Sequence, residues 1–227
     1  MTPAALRTAA APSVTRGFFV GFYDRHILPR VLDFAMKRSS LAEQREWVMT
    51  RVRGEVLEVG FGSGLNLPYY PTQVRTLTAV EPHPGMRNRA MKRIEKSGRT
   101  VSLIARPMEK KQLLADGSFE TIVSTWTLCS IPDPAAAMKE VYRLLRPGGR
   151  FVFVEHGLSS DLDVARWQRK LTGLTQRWGG GCHLDRDIEA IVRGSRLELL
   201  DDHLEKFNLT SGLRVGAYTY RGVAFRT

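Results

Sequence analysis

The chain has 227 residues, of which 43% are hydrophobic, and a formal net charge of +11; that length fits one domain with its own core, and the apolar share is ordinary for a soluble globular protein. Its two cysteines, Cys129 and Cys182, are too few for a disulfide framework and suggest a reducing compartment, read here as cytoplasmic. No apolar run approaches a membrane-spanning length, and the basic residues are not interleaved with stacking aromatics, which makes nucleic acid an unlikely partner.

Residues 1–16 read as a disordered tail: Ala-, Thr- and Pro-rich, without the apolar stretch and cleavage site of a signal peptide. Residues 17–227 read as a single domain, divided into N-terminal lid helices (17–53), a cofactor-binding core (54–157), and substrate-side helices with closing strands (158–227). Phe18, Phe19, Phe22 and Tyr23 form an aromatic patch with three readings: core, a lid over a ligand, or an anchor at a membrane interface beside Arg16, Arg25 and Arg30. The lid is favoured. Pro29 suits the first turn of a helix, and Leu28, Val31, Leu32 and Ala35 then share one face. Ser40, with Glu43 as its capping-box partner, predicts a further helix that ends near Arg53 and Gly54.

Strand 55–60 then runs into the turn Gly60-Phe61-Gly62-Ser63-Gly64. The pattern continues as helix 64–70, strand 76–81, helix 84–97, strand 100–104 and strand 119–125. Next come a helix over 134–146 opened by Asp133 and Pro134, strand 150–155, helices over 161–178 and 186–193, and strands near 196–207 and 213–225. Such alternation predicts an α/β fold, a parallel sheet covered by helices on both faces. Its topological switch point places a ligand above Gly60 to Gly64.

The glycine spacing is G-x-G-x-G, with Leu65 where the dinucleotide fingerprint runs on towards its third glycine. Glu58 stands just before the turn, where a carboxylate repels a pyrophosphate but suits an amino-acid ammonium. Glu81 ends the next strand, where an acid can accept both ribose hydroxyls. Together these favour S-adenosylmethionine over NAD.

Val56 to Gly64 resembles motif I of the class I S-adenosylmethionine-dependent methyltransferases, of the type 11 or UbiE-like kind. The segment Ala79 to Met86 resembles their ribose-binding stretch. Asp116 to Val123 resembles the entry to their fourth strand, and Leu144 to Phe151 the turn before the fifth. The resemblance implies a Rossmann-like, doubly wound, seven-stranded sheet, mostly parallel, with an antiparallel C-terminal hairpin. It implies cofactor contacts from Tyr23, Glu58, Gly60, Phe61, Gly62, Gly64, Glu81, Pro82, His83, Met86 and Thr125. Pro107 stands where many relatives carry an Asp that reads adenine, which leaves Met108 and Glu109 as candidates there. Phe153-Val154-Glu155-His156, Trp167-Gln168, Trp178 and Gly181-Cys182-His183-Leu184 resemble the branch with membrane-associated thiol methyltransferases and bacterial phospholipid N-methyltransferases.

Methyl transfer is an in-line displacement at a sulfonium carbon, and proximity alone can supply roughly 7–11 kcal/mol of the barrier. A thiol or amine must also lose a proton, and His156 and His183 are the candidate acceptors. Cys129, Cys182 and His183 match no zinc spacing, so no metal is expected and the thiols read as buried and inert. The expected activity is methyl transfer to a small, apolar thiol or amine, phospholipid head groups included. A nucleotide-binding oxidoreductase and a non-catalytic cofactor-binding protein are the alternatives. Cations at Arg87, Arg89, Lys92, Arg93, Lys96 and Arg99, and again at Arg166, Arg169, Lys170 and Arg177, read either as solvated helix faces or as attraction to an anionic membrane at the periphery. The oligomeric state is left open.

Overall fold

The computed structural model describes residues 21–210 and 214–227. The expected tail and the aromatics Phe18 and Phe19 lie outside the described residues. Seven strands appear in chain order: β1 (Gly54–Val59), β2 (Val74–Val80), β3 (Ser102–Ile104), β4 (Phe119–Thr125), β5 (Leu145–His156), β6 (Glu198–Asn208) and β7 (Tyr218–Phe225). Six helices accompany them: α1 (Leu28–Ala35), α2 (Ser39–Met49), α3 (Pro84–Ser97), α4 (Pro134–Leu144), α5 (Leu162–Trp178) and α6 (Ile188–Arg193). A single π-helical stretch, Tyr23–Ile27, leads directly into α1.

The strands form one sheet in the order β3-β2-β1-β4-β5-β7-β6. β1 to β5 pair in parallel. β7 runs antiparallel to both β5 and β6, so the expected C-terminal hairpin closes the sheet.

Successive residues of a strand point to opposite faces, and the central strands are apolar on both. On one face Leu57, Ile122, Phe151 and Phe153 pack against Met138 and Val141 of α4 and Ile188 and Val192 of α6. On the other, Val56, Val123, Val152 and Val154 pack with Val48 and Met49 of α2 and Ala90 of α3. Each fully buried side chain of this kind contributes about 1.5–3 kcal/mol. Two buried faces require helices on both, which gives the doubly wound architecture. From β1 the chain winds outward through β2 and β3, then returns to β4 on β1's other side. This reversal opens a crevice above the carboxyl ends of β1 and β4.

Three local expectations differ. The predicted helix over 64–70 is only a 3-10 turn at Leu67–Tyr69. Gly64 has φ +81°, and Pro71 favours an extended Tyr70, which has ψ 124°. Ser40 does not cap α2: the helix starts at Ser39, and the Leu41 and Ala42 amides donate to the Arg38 carbonyl. The helix predicted to reach 146 stops at Leu144, because Pro147 pushes Arg146 away from the helical region. Its other end is as expected, with Asp133 accepting from the Ala136 amide at 2.9 Å.

Candidate active site

A cavity of about 1030 Å³ lies over the switch point. Its floor is the turn after β1. Gly60, Gly62 and Gly64 have φ of +70°, +57° and +81°, a region where a Cβ is strained. The Gly60 and Phe61 amides donate to the Val80 carbonyl at 2.9 and 3.0 Å, which pins the turn to the end of β2. Gly60, Phe61 and Gly62 line the cavity; Gly64 does not, and shapes the turn beneath it.

At the tip of β2, Glu81 is held from both sides. Its Oε2 accepts from the Gly62 amide at 2.7 Å and its Oε1 from the His83 amide at 2.8 Å. Burial pushes its carboxyl up, and the two amide hydrogen bonds oppose that. Pro82, His83 and Met86 line the wall beside it. His83 has a second duty, because its Nδ1 caps α3 by accepting from the Gly85 and Met86 amides. Met108 and Glu109 line the opposite wall, with Pro107 beside them.

Glu58 sits under the turn and is 1% exposed. Asn66 donates to its Oε1 and Tyr70 to its Oε2, both at 2.6 Å. Burial raises its carboxyl to about 7, although both hydrogen bonds pull the other way. Asn66 also donates to Thr125 Oγ1 at 3.0 Å, and its own Oδ1 is buried without a partner. That orphaned acceptor, beside an acid and at the cavity wall, fits the ammonium of an amino-acid-bearing cofactor. Arg45 of α2 lines the same cavity, 4% exposed, with its guanidinium 4.9 Å from the Trp126 ring. Trp126 itself has φ +50°, held there at the end of β4 by its amide bond to the Val154 carbonyl at 2.8 Å.

Cys129, His156 and Cys182 also line the cavity. Cys182 Sγ lies 2.9 Å from His156 Nε2. The bond from Cys182 holds the Cys129 thiol well below its ordinary value, with help from His156 and against burial. Contact with Cys129 and burial push Cys182 up instead. Burial would lower His156, but the charge on Cys129 outweighs it and holds the ring at about 9. Cys129 and His156 thus each favour the other's charged form. The expected burial holds for Cys129 but not for Cys182, which is half-buried at the cavity wall.

Two expected site residues are elsewhere. The Tyr23 hydroxyl donates to the Trp178 carbonyl at 2.9 Å, and its ring packs edge-on against Trp178, so it fastens the N-terminal segment to α5. His183 is outside the cavity lining, and its ring meets the Gln176 amide at 2.8 Å.

Residues 57–153 match the profile described as Methyltransferase domain. The chain is 30% identical over 174 residues to the human thiol S-methyltransferase TMT1A, covering 74% of this chain and 70% of that one. The chain belongs to the methyltransferase family that uses S-adenosylmethionine. It is also 31% identical over 149 residues to a phosphatidylethanolamine N-methyltransferase of Cereibacter sphaeroides, covering 65% of this chain and 72% of that one. A solved geranyl diphosphate methyltransferase bound to GPP and sinefungin superposes with a TM-score of 0.62 at 15% identity, over 82% of this chain and 78% of that one. This methyltransferase therefore has S-adenosylmethionine as its cofactor, and the glycine turn, Glu81 and the orphaned Asn66 Oδ1 fit that molecule.

Sequence reading passed over Asp33, Arg45, Asn66 and Tyr70. Asn66 and Tyr70 follow the glycine turn closely, so two polar residues in an otherwise apolar stretch were an available signal. Asp33 and Arg45 had none, since a charged residue on a helix ordinarily faces water.

Proposed function

We propose that this methyltransferase acts on a small, largely apolar acceptor that carries a thiol or an amine. The observation behind this is the cavity itself. Its volume of about 1030 Å³ is at the upper end of the roughly 300–1000 Å³ usual for one ligand, so an acceptor can lie beside the cofactor. Leu28, Leu32, Leu41 and Ile131 contribute apolar wall, and His156 supplies a titratable group within it.

S-adenosylmethionine supplies a methyl group already activated on a sulfonium. The chain's part is binding, orientation and proton removal. Glu81 is preset by two backbone amides to receive the ribose hydroxyls. Glu58 and Asn66 take the ammonium, and Arg45, charged and buried beside them, takes the carboxylate. Met108 and Glu109 border the adenine. The cluster of Cys129, His156 and Cys182 on the cavity wall promotes loss of the acceptor's proton, and exclusion of water by the enclosing helices strengthens each of these interactions. The N-terminal segment with Tyr23 and α1 serves as a lid.

A specific observation favours a peripheral approach to anionic lipid as well. Phe34 is 83% exposed on α1, and Leu162 and Trp167 are 78% and 54% exposed on α5, whose flanks carry Arg166, Arg169 and Lys170. Apolar side chains among cations suit an interface. No described helix is long and apolar enough to cross a membrane.

The test is transfer of a labelled methyl group from S-adenosylmethionine to a panel of small thiols and amines, with and without vesicles containing phosphatidylethanolamine and an anionic lipid. Label in a panel compound supports a small-molecule acceptor. Label in the lipid assigns the head-group amine. Label in neither, from protein that binds S-adenosylhomocysteine, refutes the acceptor class.

A further inference from the structure

Three soft-ligand side chains converge on the cavity from two loops and a strand end. Cys129 follows β4, His156 ends β5, and Cys182 follows α5. Their ligand atoms, two Sγ and one imidazole nitrogen, all lie within 4.8 Å of one another. All three residues line the cavity.

The backbone holds this arrangement in place. The His183 amide donates to the Cys129 carbonyl at 2.9 Å, fastening the two cysteine loops together. Thr175 Oγ1 donates to the Cys182 carbonyl at 2.8 Å, fixing that loop to α5. Gly180 and Gly181, with φ of +72° and +84°, let the chain turn sharply enough to present Cys182. On His156, Nε2 faces the thiols while Nδ1 is buried without a partner, so no other group competes for the ring. Glu155, next in the chain, is fully buried with Oε2 unpartnered.

Zinc is bound by Cys sulfur at about 2.3 Å and His nitrogen at about 2.0–2.1 Å, and catalytic zinc sites keep three protein ligands and one open position. Ligand atoms around such an ion stand roughly 3.5 Å apart, so to seat one here the Cys182–His156 pair opens from 2.9 Å and the widest pair closes from at most 4.8 Å, shifts of about 1 Å or less. Two thiolates and a neutral imidazole balance the ion's two charges. We propose that Cys129, His156 and Cys182 bind a thiophilic divalent ion of the zinc type, with its fourth position open to the cavity for the sulfur of a thiol acceptor. This rests on the methyl-transfer reading above and narrows the acceptor to a thiol.

Coordination deprotonates a thiol, so the acceptor's proton leaves to solvent as its sulfur binds. The thiolate sulfur then forms a bond to the methyl carbon. The carbon–sulfonium bond breaks with its electron pair kept on the cofactor's sulfur. The products are a methyl thioether, S-adenosylhomocysteine and the released proton, with no oxidant or reductant needed.

Cobalt(II) makes the site visible. Reduced, metal-stripped protein titrated with Co²⁺ is expected to bind one equivalent, with a near-ultraviolet thiolate-to-cobalt band that one equivalent of Zn²⁺ abolishes. Adding 2-mercaptoethanol is expected to shift the visible cobalt bands. Cys129→Ser and Cys182→Ser should each lose at least half of the thiolate band while still binding S-adenosylhomocysteine, which shows that they fold. A missing band in the reduced wild type, a band unchanged in both variants, or an intact mass two hydrogens light under the same conditions would overturn the site. A cobalt spectrum indifferent to added thiol overturns the open position. Cobalt binding without S-adenosylhomocysteine binding sinks the cofactor assignment instead and leaves the metal site standing.

Discussion

The Ser63 hydroxyl donates to the Asp33 carboxylate at 2.5 Å, joining α1 to the glycine turn. Asp33 is 5% exposed and also pairs with Arg93 at 2.7 Å, Lys37 at 3.1 Å and Arg89 at 3.5 Å. Burial alone would raise its carboxyl, but the hydrogen bonds from Ser63, Lys37 and Arg93 outweigh it and hold the group below its ordinary value. One carboxylate therefore ties α1 to both the glycine turn and α3.

Asp33→Ala should loosen both. Removing one partner of a buried ion pair costs about 3–5 kcal/mol when the other charge stays buried; here the cations are partly exposed, so about 2 kcal/mol is expected. Hydrogen exchange over residues 21–38 should accelerate, and cofactor affinity should fall about tenfold, the equivalent of about 1.4 kcal/mol. Unchanged exchange there would show that α1 is held by its apolar contacts alone.

Glu81→Ala should abolish useful cofactor binding without unfolding the chain. It removes the acceptor of two backbone amides and the proposed ribose partner. Hydrogen bonds to a charged group contribute about 1.5–3 kcal/mol each, so the dissociation constant should rise by at least about 10²-fold. Calorimetric titration with S-adenosylhomocysteine reads this directly, and wild-type affinity would move the ribose elsewhere.

The glycines of the turn differ in how they tolerate a methyl group. A Cβ at Gly60 would stand 2.1 Å from Thr127 Oγ1, whereas at Gly62 the nearest atom is the Gly60 carbonyl oxygen at 4.0 Å. Both have positive φ, which costs an alanine about 1–2 kcal/mol. Gly62→Ala should cost no more than that, while Gly60→Ala must also displace Thr127 and its bond to the Gly60 carbonyl at 3.3 Å. Urea denaturation of the two variants should rank Gly60→Ala as clearly the less stable; equal stabilities would mean that Thr127 yields freely.

How much of this was legible beforehand follows from where each residue sits in the chain. Glu58, the glycines and Glu81 belong to a strand, its turn and the next strand, so local pattern and spacing sufficed. The central strands were legible because both faces are buried, which makes apolar runs dense. Arg45 and Asp33 escaped, because each is a charged residue on a helix and only tertiary packing shows that it points inward. Cys129, His156 and Cys182 escaped as a group for a related reason: two loops and a strand end each contribute one ligand, and no short spacing announces them. His183 was misleading in the opposite sense, since its glycine-rich loop suggested the cavity while its ring meets Gln176.

Glu58 gives the pH prediction. In the folded protein without cofactor its carboxyl is raised from 4.5 to about 7, chiefly by burial. A raised value means that the folded state holds the proton more tightly than the unfolded one. The protonated group's contribution to stability is therefore fully present below about pH 4.5, falls as pH rises towards about 7, and is lost above it. A difference of that size corresponds to about 3 kcal/mol. Other acids, Asp33 among them, change stability in the opposite direction over part of the same range, so the informative quantity is the difference from Glu58→Gln, which keeps the side chain neutral throughout. Urea unfolding of both proteins at about pH 4.5 and about pH 8 should show the wild type losing about 3 kcal/mol relative to the variant. The cofactor's ammonium, proposed to lie beside Glu58, should reverse this by favouring the carboxylate, so binding near pH 7 should release a proton in the wild type and none from this position in the variant. Parallel stability curves would show that Glu58 ionises without cost, and equal proton release would place the ammonium away from it.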